Sequence, residues 1–316
     1  MPAHVRILGI ALTPRIARAY FAVQALAGTA WWILVFTVPA VQHLTLGALP
    51  PVPVAILDVP LFVVASALAA LGIRAAVWIA MLWTAVVTTG MVVYATATGS
   101  AGWGALAMIA ATVGSAGLGA VVLRGSFPSH WIVAGPLGLR EARPASRTDN
   151  LCATLVQIAV FWGLFLGVIP VVIAWFEHRW GVGLPAPAVV RIVGVVVLIV
   201  ASALGLWSGA TMASLGDGTP LPSATARRLV IAGPYRLVRN PMAVAGIVQG
   251  VAVGLIHGSW LVVAWALCGS VVWNSFIRPV EERDLEDRFG DDFRTYRDVV
   301  SCWIPRRIWT SRIVDA

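Results

Sequence analysis

LCATLVQIAVFWGLFLGVIPVVIAW, residues 151–175, and AVVRIVGVVVLIVASALGLW, residues 188–207, decide the fold class. Each reaches or exceeds the roughly 20 residues that an α-helix needs to cross about 30 Å of hydrocarbon. The whole chain agrees: of 316 residues, 59% are hydrophobic, 15 are Trp and only 11% are charged. A soluble chain carries roughly 25% charged residues to solvate its surface. One soluble core of this length cannot hide so much apolar surface. The expected fold is therefore all-α, a polytopic integral membrane protein.

Outward from these two runs, further spans are expected near residues 20–39, 59–71, 75–96 and 103–123. The run at 59–71 is short and interrupted by Pro60, after the Pro-rich stretch LPPVPVAILDVP. Two last runs, Met242–Ile256 and Trp260–Ile277, are joined by His257-Gly258-Ser259 and read as a helical hairpin. The total is about eight transmembrane helices. The first run, after Arg15 and Arg18, continues into a full span and does not read as a cleavable signal peptide.

The net charge of +8 comes from 22 basic residues, all Arg, against 14 acidic ones. Arginines flank every second boundary: Arg6, Arg15 and Arg18, then Arg74, the Arg124–Arg147 loop, the Arg227–Arg239 connection and the tail. The alternation puts both termini and the arginine-rich loops in the cytoplasm. It also explains the basic balance by membrane topology, without a nucleic-acid partner. Cys152, Cys268 and Cys302 are dispersed, which opposes a disulfide framework or a zinc site. The chain divides into a first part, residues 1–150, of unknown role, and a second, 151–316, where the interpretable chemistry lies.

That chemistry begins in SLGDGTPLPSATARRLVIAGPYRLVRNPM, residues 214–242, where Gly/Pro clusters make compact turns. Pro241 suits the first turn of the next helix, so Arg236, Arg239 and Asn240 gather at its N-terminus, where an anion is favoured. Glu281 and Glu282 follow directly at the exit of the last span, close to the start of the hairpin if its helices are antiparallel. These carboxylates can pair with Arg239 or accept hydrogen bonds from ribose hydroxyls or an amine. Beyond them Leu285, Phe289, Phe293 and Tyr296 form an apolar stripe on a charged, amphipathic helix. No Rossmann or Walker A pattern, HExxH or GxSxG is present, and the absence of Lys excludes lysine-based catalysis.

GDGTPLP at 216–222, LVIAGPYRLVRNPMAVAG at 229–246, EERDLEDRFGDDFRTY at 281–296 and Ile304-Pro305 follow one another in an order that resembles the isoprenylcysteine carboxyl methyltransferase-like family of membrane enzymes, related to phospholipid N-methyltransferases. The resemblance covers roughly residues 205–306. It implies S-adenosyl-L-methionine as cofactor, bound around Gly233, Pro234, Tyr235, Arg236, Arg239, Asn240, Pro241, Gly246, Glu281, Glu282 and Tyr296. Among these, Arg239, Glu281 and Glu282 would be catalytic, and a lipid-like acceptor would enter from the bilayer. Two residues depart from the family pattern: Ala243 stands where Tyr is usual, and Phe293 replaces another Tyr.

The sulfonium already activates the methyl group, so the protein mainly aligns it with an acceptor. A carboxylate acceptor needs no base and can be steered by Arg236 or Arg239. An amine must be neutral, which makes Glu281 or Glu282 a proton acceptor. Competing readings are an NADPH-dependent membrane reductase of the sterol type and a non-catalytic carrier or scaffold; the paired glutamates and the VRNPM form favour the methyltransferase.

Overall fold

The computed structural model describes residues 6–7, 9–127, 146–217 and 226–305. Most of the Arg124–Asn150 connection, the GTPLP part of the Gly216–Pro222 stretch and both chain ends lie outside them. The described chain is helical apart from a two-stranded antiparallel ribbon, β1 (Arg6–Ile7) and β2 (Ile10–Ala11). It divides into two compact units, Met1–Ser129 with Trp175–Gly183, and His130–Ala174 with Leu184–Ala316.

The first unit holds α1 (Pro14–Thr37), α2 (Pro39–Thr45), α3 (Pro51–Asp58), α4 (Ala65–Ala70), α5 (Arg74–Thr98) and α6 (Gly102–Arg124). Thr13 caps α1 and Pro14 opens it, so the helix starts earlier than its apolar run. The expected span at 59–71 is too short: the apolar helix runs over Pro51–Ala70. Pro51 occupies the first turn, where its missing N–H is harmless. Pro60 is taken up by a π-helical stretch, Val59–Val64, that joins α3 to α4.

Small residues let the helices of this unit close on one another: Ala65, Ala69, Ala76 and Ala80 pack with Phe21 and Val77. A buried polar knot lies among them. The Gln24 side-chain carbonyl accepts from Tyr20 Oη at 2.6 Å and Ser115 Oγ at 3.1 Å, while its amide donates to Ser66 Oγ at 3.0 Å. The returning segment supplies Arg179, which donates to the carbonyls of Thr96 (2.7 Å) and Ala97 (2.6 Å) and so caps the end of α5.

In the second unit α7 (Arg147–Phe161) continues through a π-helical stretch (Trp162–Val168) into α8 (Ile169–Arg179), whose residues from Trp175 on count with the first unit, and α9 (Ala188–Leu215) follows in the second. A 3₁₀ turn, Gly233–Arg236, precedes α10 (Pro241–His257) and α11 (Trp260–Val272). A third π-helical stretch, Trp273–Ile277, leads into α12 (Arg278–Val299). Close packing again rests on glycine. A Cβ on Gly250 would meet Ala266 Cβ at 2.8 Å, and one on Gly254 would meet Val263 Cγ2 at 2.6 Å. As the position on α10 rises the partner on α11 falls, so α11 runs back along α10. Gln249, buried on α10, donates to Ser202 Oγ on α9 at 3.0 Å.

Among the described residues, seven helices are long and apolar enough to cross a membrane. Their outer faces are apolar: on α9, Val189, Ile192 and Ile199 are 63%, 64% and 64% exposed. Only hydrocarbon solvates such a face at low cost, and the chain is an integral membrane protein. Against the expected eight spans, Pro241–His257 is apolar but has only 17 residues. The helix Trp260–Val299 has 40 residues, about 60 Å at 1.5 Å per residue and twice what a bilayer core requires. Its apolar part ends at Ile277. From Arg278 the helix is charged, and it bends at Gly290, whose φ of 52° and ψ of −122° suit glycine alone.

Candidate functional site

In the second unit Asn240 caps α10, its side-chain oxygen accepting from the Ala243 N–H at 3.0 Å, with Pro241 in the first turn. An acceptor of the protein's own thus already occupies part of the helix N-terminus that the sequence offers to an anion. The preceding Arg239 points across to α12. Its Nη2 and Nε donate to Glu282 Oε1 at 2.8 and 3.2 Å. Its Nη1 donates to the carbonyls of Arg297 at 2.9 Å and Val300 at 2.7 Å. Its backbone N–H donates to the Ser301 carbonyl at 3.0 Å. One guanidinium therefore closes the C-terminus of α12, where carbonyls lack helical partners, and holds a carboxylate near its start.

The apolar stripe of α12 packs inward. Phe293, Tyr296 and Val300 are buried, with Leu285, Phe289, Leu229 and Ile231 against them. Tyr296 Oη donates to the Tyr235 carbonyl at 2.6 Å, tying α12 to the 3₁₀ turn. Tyr235 and Pro234 are buried as well. Gly233 takes φ +53°, and a Cβ there would meet Thr211 Oγ1 at 3.1 Å and Trp207 Nε1 at 3.3 Å. The turn is thus seated on the end of α9. Residues 300–303 complete the enclosure: Trp303 Nε1 donates to Asn274 Oδ1 at 2.9 Å, and its ring meets Trp273 edge-on at 5.2 Å.

Glu281 behaves unlike its neighbour. It is half-buried and, among the described residues, has no hydrogen-bond or ion-pair partner. Burial, and then the charges of Glu282 and Asp284, push its carboxyl up to about 7. Burial, with Tyr296 and Glu281 nearby, pushes the Tyr235 phenol well above its ordinary value. The Tyr296 phenol is raised by burial too, against the opposing pull of Arg239. Burial likewise raises the Cys302 thiol, partly offset by a hydrogen bond with Arg278. Arg236 is exposed and has no partner among the described residues. Gly246 is exposed on α10, with open space where a Cβ would stand.

The residues singled out in the sequence thus fall into two groups. Arg239, Asn240, Pro241, Glu282, Pro234, Tyr235 and Tyr296 build and lock the mouth. Glu281, Arg236 and the open side of Gly246 leave chemistry unused. The sequence did not reveal Asn274, Trp303 or the backbone acceptors of Arg297, Val300 and Ser301. Carbonyls carry no side-chain signature, and only Ile304-Pro305 hinted that this segment mattered.

Residues 189–292 match the family model described as phospholipid methyltransferase. The matched segment contains Arg239, Glu281 and Glu282 and stops before Phe293 and Tyr296. No curated protein and no solved structure matches the chain. The match supports methyl transfer as the chemistry of this segment in a membrane-embedded, lipid-associated setting.

Proposed function

We propose that the protein transfers a methyl group from S-adenosyl-L-methionine to a lipid or other hydrophobic acceptor at the cytoplasmic membrane face. One observation carries the reading: within the matched segment, a half-buried carboxylate without a partner, Glu281, stands beside the locked Arg239–Glu282 pair. Structural carboxylates are normally satisfied, and an unsatisfied one in a polar mouth suits a ligand.

The residues fit the cofactor. Glu281 offers acceptors for hydroxyls or an ammonium, and Arg236 a guanidinium for a carboxylate. The buried Nε of Arg278 and Oγ of Ser275, both without partners, add unused polarity nearby in sequence. When bound, the cofactor supplies a methyl group already activated on sulfonium. The chain's own task is alignment, with Arg239 as a positioning residue that fixes Glu282 and the end of α12. Glu281 can take a proton from an amine acceptor, and a carboxylate acceptor would instead call on Arg236. Ala243 leaves more room at the mouth than a Tyr would.

The arginine alternation supports an orientation with both termini cytoplasmic; a bacterial plasma membrane is the location this proposal takes. In this reading Pro241–His257 is an eighth crossing, paired as a hairpin with Trp260–Ile277. Residues 1–150 then form a region apart from the methyltransferase-like region 151–316.

Isothermal titration of the full-length protein with S-adenosyl-L-methionine, in one detergent and salt, tests the reading. Wild type should bind, and Glu281→Gln should bind about 10–150-fold more weakly, as expected for one charge-assisted hydrogen bond. Equal binding by Glu281→Gln and Arg236→Ala would remove the site. No binding by wild type would remove methyl transfer itself. Radiolabelled cofactor with a total lipid extract then identifies the acceptor.

A further inference from the structure

Arg278 opens α12 at the end of the last apolar run and is half-buried. The other arginines of this helix each reach an oxygen. Arg283 donates to the Pro279 carbonyl at 2.9 Å, and Arg288 pairs with Asp284 at 2.6 Å. Arg297 and Arg294 pair with Glu286 at 2.7 and 3.4 Å. Arg278 reaches no oxygen among the described residues. Carboxylates three and four positions along a helix are an arginine's usual partners. Here Glu282, the fourth, is held by Arg239, and Glu281, the third, has no ion pair. Arg278 and Glu281 are thus opposite charges a turn apart that do not meet.

Among the described residues the partner of Arg278 is the Cys302 thiol. Burial raises that thiol, so it stays neutral and does not balance a guanidinium. Sulfur is also a weak acceptor. The Arg278 Nε is buried with no hydrogen-bond partner, and so is Ser275 Oγ three residues before it. A guanidinium carries five N–H donors, accepts nothing and stays charged. Unmet buried donors and an unbalanced charge both cost free energy, and an anionic acceptor answers the two together. Arginine suits oxyanions above all, because its planar fork matches two oxygens of a carboxylate or phosphate. Arg236, the other arginine at the mouth without a partner, is exposed, so water and salt screen its charge more than that of Arg278.

We propose that Arg278 is an oxyanion subsite of the mouth, taking the carboxylate or phosphate of a bound ligand. The inference rests on the mouth being a ligand site, as proposed above. The oxyanion has two sources, the carboxylate of the cofactor and the phosphate of a membrane lipid, and the test separates them. Full-length wild type and Arg278→Gln are titrated calorimetrically, in one detergent and salt, with two ligand pairs. One pair is S-adenosyl-L-methionine and its decarboxylated form; the other is dioctanoyl phosphatidic acid and dioctanoylglycerol. Wild type should bind the oxyanion-bearing member of at least one pair more tightly than its counterpart. Arg278→Gln should weaken that member by about 10–150-fold and leave the counterpart unchanged. A loss confined to S-adenosyl-L-methionine assigns the cofactor carboxylate, and one confined to phosphatidic acid assigns the lipid phosphate. Arg278→Lys keeps the charge without the fork and should weaken the same member severalfold; it stands in if the Gln variant does not fold. No preference by wild type in either pair, or unchanged binding by a folded variant, would overturn the subsite. Wild type that prefers phosphatidic acid but does not bind S-adenosyl-L-methionine would remove methyl transfer, and Arg278→Gln would still decide the subsite by the lipid pair.

Discussion

Around Gln24 in the first unit, polar side chains satisfy one another: Tyr20 and Ser115 donate to its carbonyl and its amide donates to Ser66. At the mouth in the second unit, two adjacent carboxylates are treated differently. Glu282 is held by Arg239, whereas Glu281 is left open. A closed knot fixes helices to one another and has nothing left for a ligand. A half-closed one fixes its own frame and presents the remainder. The difference separates scaffold from candidate site more sharply than burial does, since both regions contain buried polar atoms.

Removing a lock should cost more than removing an open group. The largest effect is expected for Arg239→Ala, which strands Glu282 and two carbonyls at once. A loss of about 3 kcal/mol or more is expected in thermal unfolding. Little change would mean that the mouth is held by packing alone. Gln24→Leu takes the Gln24 partner from Ser66, Ser115 and Tyr20, of which Tyr20 keeps the Ala111 carbonyl, and should cost about 1–3 kcal/mol, with cofactor binding intact. A selective loss of binding would break the contrast between the units.

Glu281→Gln should be smallest in stability and opposite in sign. The folded carboxyl titrates near 7, above its ordinary value of 4.5, so the folded protein holds the proton more tightly. Wild-type stability should therefore fall as pH rises from about 4.5 to 7 and level off above, by about 1–2 kcal/mol after allowance for solvent screening. The Gln variant should lose this slope and be the more stable of the two at pH 8. A wild-type curve flat across that window would show that Glu281 has a partner after all.

Much of the architecture was legible because lipid demands long apolar helices, and such runs are conspicuous. The Pro-rich LPPVPVAILDVP was not. Proline reads as interruption, yet Pro51 fits a helix start and Pro60 a π-helical widening. The approach of Arg239 to the glutamates was legible in outline, because two apolar runs with a three-residue join bring their outer ends together. Which glutamate it grips was not, since that depends on the rotation of α12 beyond the π-helical Trp273–Ile277. Nor could the sequence reveal that the same arginine binds backbone carbonyls, which every residue possesses.

That clasp has a consequence for the order of synthesis. Arg239 waits 43 residues for Glu282 and 61 for the Val300 carbonyl. At 5–20 residues per second the second interval lasts about 3–12 s. Until Glu282 is made the guanidinium has none of these partners and must remain among water and headgroups. Helices α10 and α11 can insert meanwhile, but the mouth cannot take shape until the segment around Val300 has left the ribosome. The clasp is thus completed late, after the helices that precede it in the chain have been made.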